Sequence, residues 1–282
     1  MKLAVASMIV AVCVATVWGT AARTQPVTTG AEARRATEYR RLAGALGLEV
    51  TAVEGSHLVS DGDSRAEALL RHLNAARSFL AQGLGVALPR PGPWVFMVDA
   101  HDRRAELEGQ LQVDSSRGEL ATSSAWFCGR DGSIHLRGDA TLRDPWERWR
   151  LLAHESAHEL MWRRGRPVAT GPGAWINEGV ALLLEALDPE DGHSLRPEAV
   201  ERLAQARSLA ESGLLCDSLT YLEATREQLT TARTINVSYP FRGGRASTLV
   251  APAQVQGFAF IHFLHHALGA RFWPWLRAAL DH

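Results

Sequence analysis

The stretch Asp144-Pro145-Trp146-Glu147-Arg148-Trp149-Arg150-Leu151-Leu152-Ala153-His154-Glu155-Ser156-Ala157-His158 decides how this chain is read. Asp144 is a good helix N-cap, Pro145 suits the first helical position, and Glu147 three residues after the cap completes a capping-box pattern. A helix is therefore predicted from here to an end marked by Gly165 and Pro167. Four residues is slightly more than one helical turn, so His154 and His158 project from the same face and can reach one metal ion. Two neutral imidazoles suit zinc. Glu155, one residue on from the first histidine, is placed to take the proton of a water at that metal.

Working outward toward the N-terminus, residues 133–137 and 125–128 read as a hairpin around Arg130-Asp131-Gly132, with Asp-Gly at the turn. Residues 94–98 form an apolar run of strand length, and a helix is predicted over 102–111. Short strands are predicted at 50–53 and 57–60 around Glu54-Gly55. Ser64 then caps a helix whose apolar positions Leu69, Leu70, Leu73 and Leu80 suit one face. Residues 23–47 are polar, with Arg and Glu interspersed, and read as a surface helix or loose lead-in, so ordered structure is expected to start near Leu48.

Working outward toward the C-terminus, a second helix is predicted from about Ala174 to Leu187, after Gly171-Pro172-Gly173 and before Asp188-Pro189. The chain then reads as mostly helical, over 197–212, 218–230, 254–268 and 272–280. Residues 231–252, with Pro240 and Gly243-Gly244, read as a loop. Nine tryptophans, among them Trp146, Trp149, Trp162 and Trp175 near the histidine helix, could line a cleft, but large rings are more often core. His262, His265 and His266 lie at helical spacings and could make a second metal site; their apolar neighbours favour a packed helix with a polar edge.

Composition sets the frame for these elements. Across 282 residues, 46% are hydrophobic and 22% charged, enough for one substantial core or two small ones. The net charge of -1 and the lack of a long Lys or Arg run argue against nucleic acid as a partner. Lys2 is the only lysine, all other basic residues being Arg, which reads as the bias of a GC-rich, bacterial genome. Lys2, the apolar run over 3–18 and the small residues Gly19 to Ala22 have the layout of a secretory signal, shorter than the roughly 20 residues of a spanning helix. A secreted or periplasmic chain with no stable membrane span after signal removal is expected. The oxidising compartment would permit a bridge between Cys128 and Cys216, although two separate thiols fit the sequence as well.

A catalytic zinc usually has three protein ligands and one open position. The residues leave Glu178, Glu185 and Cys128 as candidates for the third. His154-Glu155-Ser156-Ala157-His158 followed by Trp175-Ile176-Asn177-Glu178-Gly179-Val180-Ala181 resembles the gluzincin metallopeptidases, whose second zinc helix carries a similar N-E-G-x-A segment. More loosely, 256–264 resembles the closing helix of bacterial peptidase MA-like domains. The resemblance implies that Glu178, 20 residues after His158, is the third ligand, and that the strand over 133–137 is an edge that pairs with substrate. Two positions depart from the family. Leu182 stands where many gluzincins have a carboxylate that orients a zinc histidine, so Glu185 or a backbone carbonyl would have to serve. Gln254 stands where relatives have a Tyr, so the oxyanion stabiliser is left among Tyr239, Tyr221 and His193.

These observations predict an α+β protein: a small mixed sheet with an HExxH zinc helix, followed by a mainly helical C-terminal subdomain. The expected divisions are a signal at 1–22, a lead-in at 23–47, a metallopeptidase-like subdomain at 48–187 and a helical subdomain at 188–282. The expected function is a secreted zinc peptidase acting on a peptide or protein. A catalytically silent zinc domain that binds a peptide or protein partner is the alternative.

Overall fold

The structure, a computed structural model, describes residues 29–112, 124–137, 145–163, 174–186, 188, 196–215, 235–241, 244–250 and 252–281. The expected signal at 1–22, the cap at Asp144, the helix end at Gly165 and Pro167, and the helix over 218–230 lie outside them. The chain is of mixed α and β structure and parts into two compact units, one spanning Thr24–Gly165 and the other containing Arg166–His282.

The first unit contains helices α1 (Thr29–Ala45), α2 (Ala66–Gly83), α3 (His101–Leu111) and α4 (Pro145–Arg163). Its strands are β1 (Glu49–Val53), β2 (Ser56–Ser60), β3 (Trp94–Val98), β4 (Ala125–Cys128) and β5 (Ser133–Arg137). They form one sheet in the order β1-β2-β3-β5-β4. The pairings β1–β2 and β4–β5 are antiparallel, and β2–β3 and β3–β5 are parallel, so the sheet is mixed as expected. At the β1–β2 hairpin Glu54 and Gly55 both have positive φ, 51° and 85°, as a two-residue turn that follows the strand twist requires.

Strand β3 shows why the sheet is covered on both faces: all five of its residues are buried. Side chains alternate across a strand. Val95 and Met97 therefore enter one core with Leu58, Ile134 and Leu136, closed by Leu69, Leu70 and Leu73 of α2 and Leu152 of α4. Trp94, Phe96 and Val98 enter the other, closed by Tyr39, Leu42 and Ala43 of α1 and Leu107 and Leu111 of α3. The stretch expected as a surface helix or loose lead-in thus carries a helix that covers one face of the sheet, ahead of the start near Leu48 that the sequence suggested. The Tyr39 ring meets Trp94 and Phe96 edge-on, with centroids 5.3 and 5.1 Å away. Helix α2 begins at Ala66, and no side chain caps it; Asp63 instead accepts a hydrogen bond from the Arg65 backbone N–H.

The expectation that β5 is an edge strand is overturned. β5 lies between β3 and β4, with both sides paired, and the end strands are β1 and β4. The hairpin signal gave the pair but not which member would be taken up by β3.

The second unit contains α5 (Ala174–Ala186), α6 (Pro197–Glu211), strands β6 (Ile235–Phe241) and β7 (Gly244–Val250), α7 (Pro252–Leu268) and α8 (Phe272–Asp281). The region expected as a loop over 231–252 is an antiparallel hairpin, with Ile235 opposite Val250 and Phe241 opposite Gly244. Pro240 and Gly244, taken as loop formers, lie respectively in the last two paired positions of β6 and at the first of β7. Helix α5 packs on α7. Gly179 makes that approach possible: a Cβ there would lie 2.5 Å from Ile261 Cγ1 and 3.0 Å from the Gly257 carbonyl oxygen. Among the described residues, no helix is long and apolar enough to cross a membrane.

Candidate functional site

Helix α4 carries His154, Glu155 and His158 within one unit, as the sequence predicts. The Nε2 atoms of His154 and His158 are 3.2 Å apart, and the ring centroids 4.9 Å apart with planes inclined by 74°. His154 is half-buried, while His158 and Glu155 are buried, each 6% exposed. Water therefore has limited access to the carboxylate, and the field of any nearby charge acts on it with little screening.

What holds this helix is a set of ion pairs that the sequence does not announce. Glu159, directly after His158, is fully buried. Its Oε2 accepts a hydrogen bond from Arg77 Nε of α2 at 2.9 Å, and Arg77 is itself only 1% exposed. Arg163 also pairs with Glu159, and its Nη1 lies 2.6 Å from Glu32 of α1. Two arginines and two carboxylates thus close a neutral network across α1, α2 and α4, the arrangement a buried charge requires. Farther toward the start of the helix, Arg148 Nη1 contacts Asp63 at 2.8 Å and Arg148 Nη2 contacts Asp99 at 3.4 Å. Asp63 and Asp99 follow the ends of β2 and β3, so α4 is fastened to the sheet near its beginning and to α1 and α2 near its end.

A Ser-His-Asp group also appears in this unit, at β5. Ser133 Oγ lies 2.7 Å from Asp131 Oδ1 and 2.9 Å from His135 Nε2. The serine sits between the other two, whereas nucleophilic catalysis needs the histidine in the middle. His135 is stacked on Trp126, with centroids 5.1 Å apart and planes 2° from parallel, and burial lowers its pKa to about 4. Burial alone would raise the Asp131 pKa, but hydrogen bonds from Ser133 bring it below the usual carboxylate value. This cluster joins the β4–β5 turn to the sheet.

In the second unit, Glu178 is half-buried on α5, between the buried Asn177 and Gly179. Asn177 Oδ1 is buried with no hydrogen-bond partner among the described residues. Leu182 is buried against Ala186, Ala199 and Phe258, an apolar setting in which a carboxylate would be costly. Glu185, the sequence candidate for orienting a histidine, is buried and pairs with Arg202 Nη2 at 2.5 Å. Gln254 is exposed on α7. Of the candidate oxyanion stabilisers, Tyr239 belongs to β6, while Tyr221 and His193 lie outside the described residues. Cys128 is a free, half-buried thiol, and Cys216 lies outside the described residues.

Comparison with known proteins finds no family model and no curated protein that matches this sequence.

Proposed function

We propose that the protein is a secreted or periplasmic zinc-dependent peptidase of the gluzincin type, with His154, His158 and Glu178 holding the metal and Glu155 as general base. The observation that carries this reading is the 3.2 Å between the two Nε2 atoms. Two nitrogens each about 2.0 to 2.1 Å from a tetrahedral zinc ion stand about 3.3 to 3.4 Å apart, so the pair fits such an ion with almost no movement. In this reading His154, His158 and Glu178 offer one ligand atom each. Two imidazoles and one carboxylate are a donor set that zinc takes in hydrolytic sites, leaving a fourth position open.

When bound, zinc polarises a substrate carbonyl and lowers the pKa of water to about 7. Glu155 accepts the proton of the attacking water at a carboxylate oxygen and passes it to the leaving amine. The burial of Glu155 excludes bulk water from that transfer. The Glu159 ion pairs and the Arg148 contacts fix the orientation of α4, and with it both imidazoles. Strand β4, next to β5, is one of the two end strands of the sheet in the same unit, the other being β1, and its outer side could pair with an extended peptide.

A second reading has a specific observation in its favour. Leu182 is packed in an apolar cluster and Glu185 is held by Arg202, so neither supplies the usual orienting carboxylate. A catalytically silent zinc domain that binds a peptide or protein partner would tolerate this. The two readings separate on Glu155→Ala. The peptidase reading expects zinc content to be unchanged while hydrolysis of an unfolded protein substrate drops by about 10²-fold or more. A rate equal to that of the unsubstituted chain would remove Glu155 from the mechanism.

A further inference from the structure

Helix α7 carries a second histidine pair that peptide hydrolysis does not use. Phe258, Ile261 and Leu264 are buried and provide the packing face of this helix. His262 and His266 stand beside that face, one turn apart. Their ring centroids are 4.9 Å apart and their planes are inclined by 66°. The pair on α4 has the same 4.9 Å and an inclination of 74°. The two pairs therefore share ring spacing and inclination.

The surroundings suit a metal ligand as well as the spacing does. His262 is half-buried, and its Nε2 has no hydrogen-bond partner among the described residues. Burial, and then the neighbouring His266 and His265, hold the His262 imidazole below the usual histidine range, so it keeps a lone pair at neutral pH. His266 is exposed, which leaves the pair open to solvent on one side. His265 differs from both. Its ring lies edge-on to Phe272 with centroids 5.0 Å apart, and 6.4 Å from the ring of His266.

We propose that His262 and His266 form a second, exchangeable site for a divalent transition-metal ion, with two imidazoles as protein ligands and water completing the shell. Imidazole donors select zinc, nickel or copper(II) over calcium and magnesium, which take oxygen ligands. The Irving–Williams order places copper(II) above nickel at such a site. The site holds or fails independently of the peptidase reading, because it shares no residue with the α4 pair.

Equilibrium dialysis against Ni²⁺ alone at pH 7 tests it, using the chain with His154→Ala and His158→Ala to remove the α4 pair. About one nickel per chain is expected, displaced by Cu²⁺ and not by Mg²⁺. His266→Ala, at an exposed position that the fold does not depend on, should abolish the binding, and His265→Ala should preserve it. In the chain with the α4 pair intact, His266→Ala should remove one of two bound ions. Absence of nickel from the α4-substituted chain, nickel binding that survives His266→Ala, or loss of binding on His265→Ala would each overturn the assignment.

Discussion

Glu159 and His135 are the residues whose burial makes the sharpest demands on this fold. The Glu159 carboxylate compensates Arg77, and both are shut off from water. Removing one member of such a pair leaves an uncompensated charge, so Glu159→Ala should destabilise the chain by about 3 to 5 kcal/mol, measured by urea unfolding. His135 is neutral in the fold because burial lowers its pKa from 6.5 to about 4. Between those values the unfolded chain takes up a proton that the folded chain does not, so stability falls as the pH drops from about 6.5 toward about 4. The loss should approach about 3 kcal/mol, and His135→Gln should flatten that part of the pH profile of the urea midpoint. The spacing of His154, Glu155 and His158 was readable from sequence because one helical turn dictates it. Glu159 was not, since its partner Arg77 is 82 residues away and a buried ion pair leaves no local pattern.

Elements were legible where periodicity or turn chemistry is strong and illegible where burial depends on a distant partner. Strand β3 and the leucine face of α2 follow directly from their apolar patterns. Helix α1 was left between a surface helix and a loose lead-in, because few residues of a polar segment, chiefly Tyr39, Leu42 and Ala43, reach the core. The β6–β7 hairpin was concealed by Pro240 and Gly243-Gly244, residues that break strands in mid-course but are acceptable near a turn. The interior position of β5 depends on pairing with β3, which the hairpin sequence alone does not encode. Gly179 illustrates the converse, a residue noticed in a motif whose local role is packing. Gly179→Ala would force a methyl against Ile261 and the Gly257 backbone. A cost of about 1 to 3 kcal/mol in thermal or urea unfolding is expected, with a lowered midpoint as the readout.

At the scale of the whole molecule, the mixed α+β character and the small mixed sheet were readable in advance. Helix α5 was expected to belong with the histidine helix because both carry motif residues. Motif membership says nothing about which helix a glycine face packs on, and α5 packs on α7. The most direct test is the zinc content of the purified chain lacking residues 1–22, prepared without chelator and measured beside Glu178→Ala and His266→Ala. The peptidase account predicts about one tightly held zinc per chain, retained in His266→Ala and largely lost in Glu178→Ala. A chain that holds no zinc, or that holds it equally well without the Glu178 carboxylate, would contradict the account.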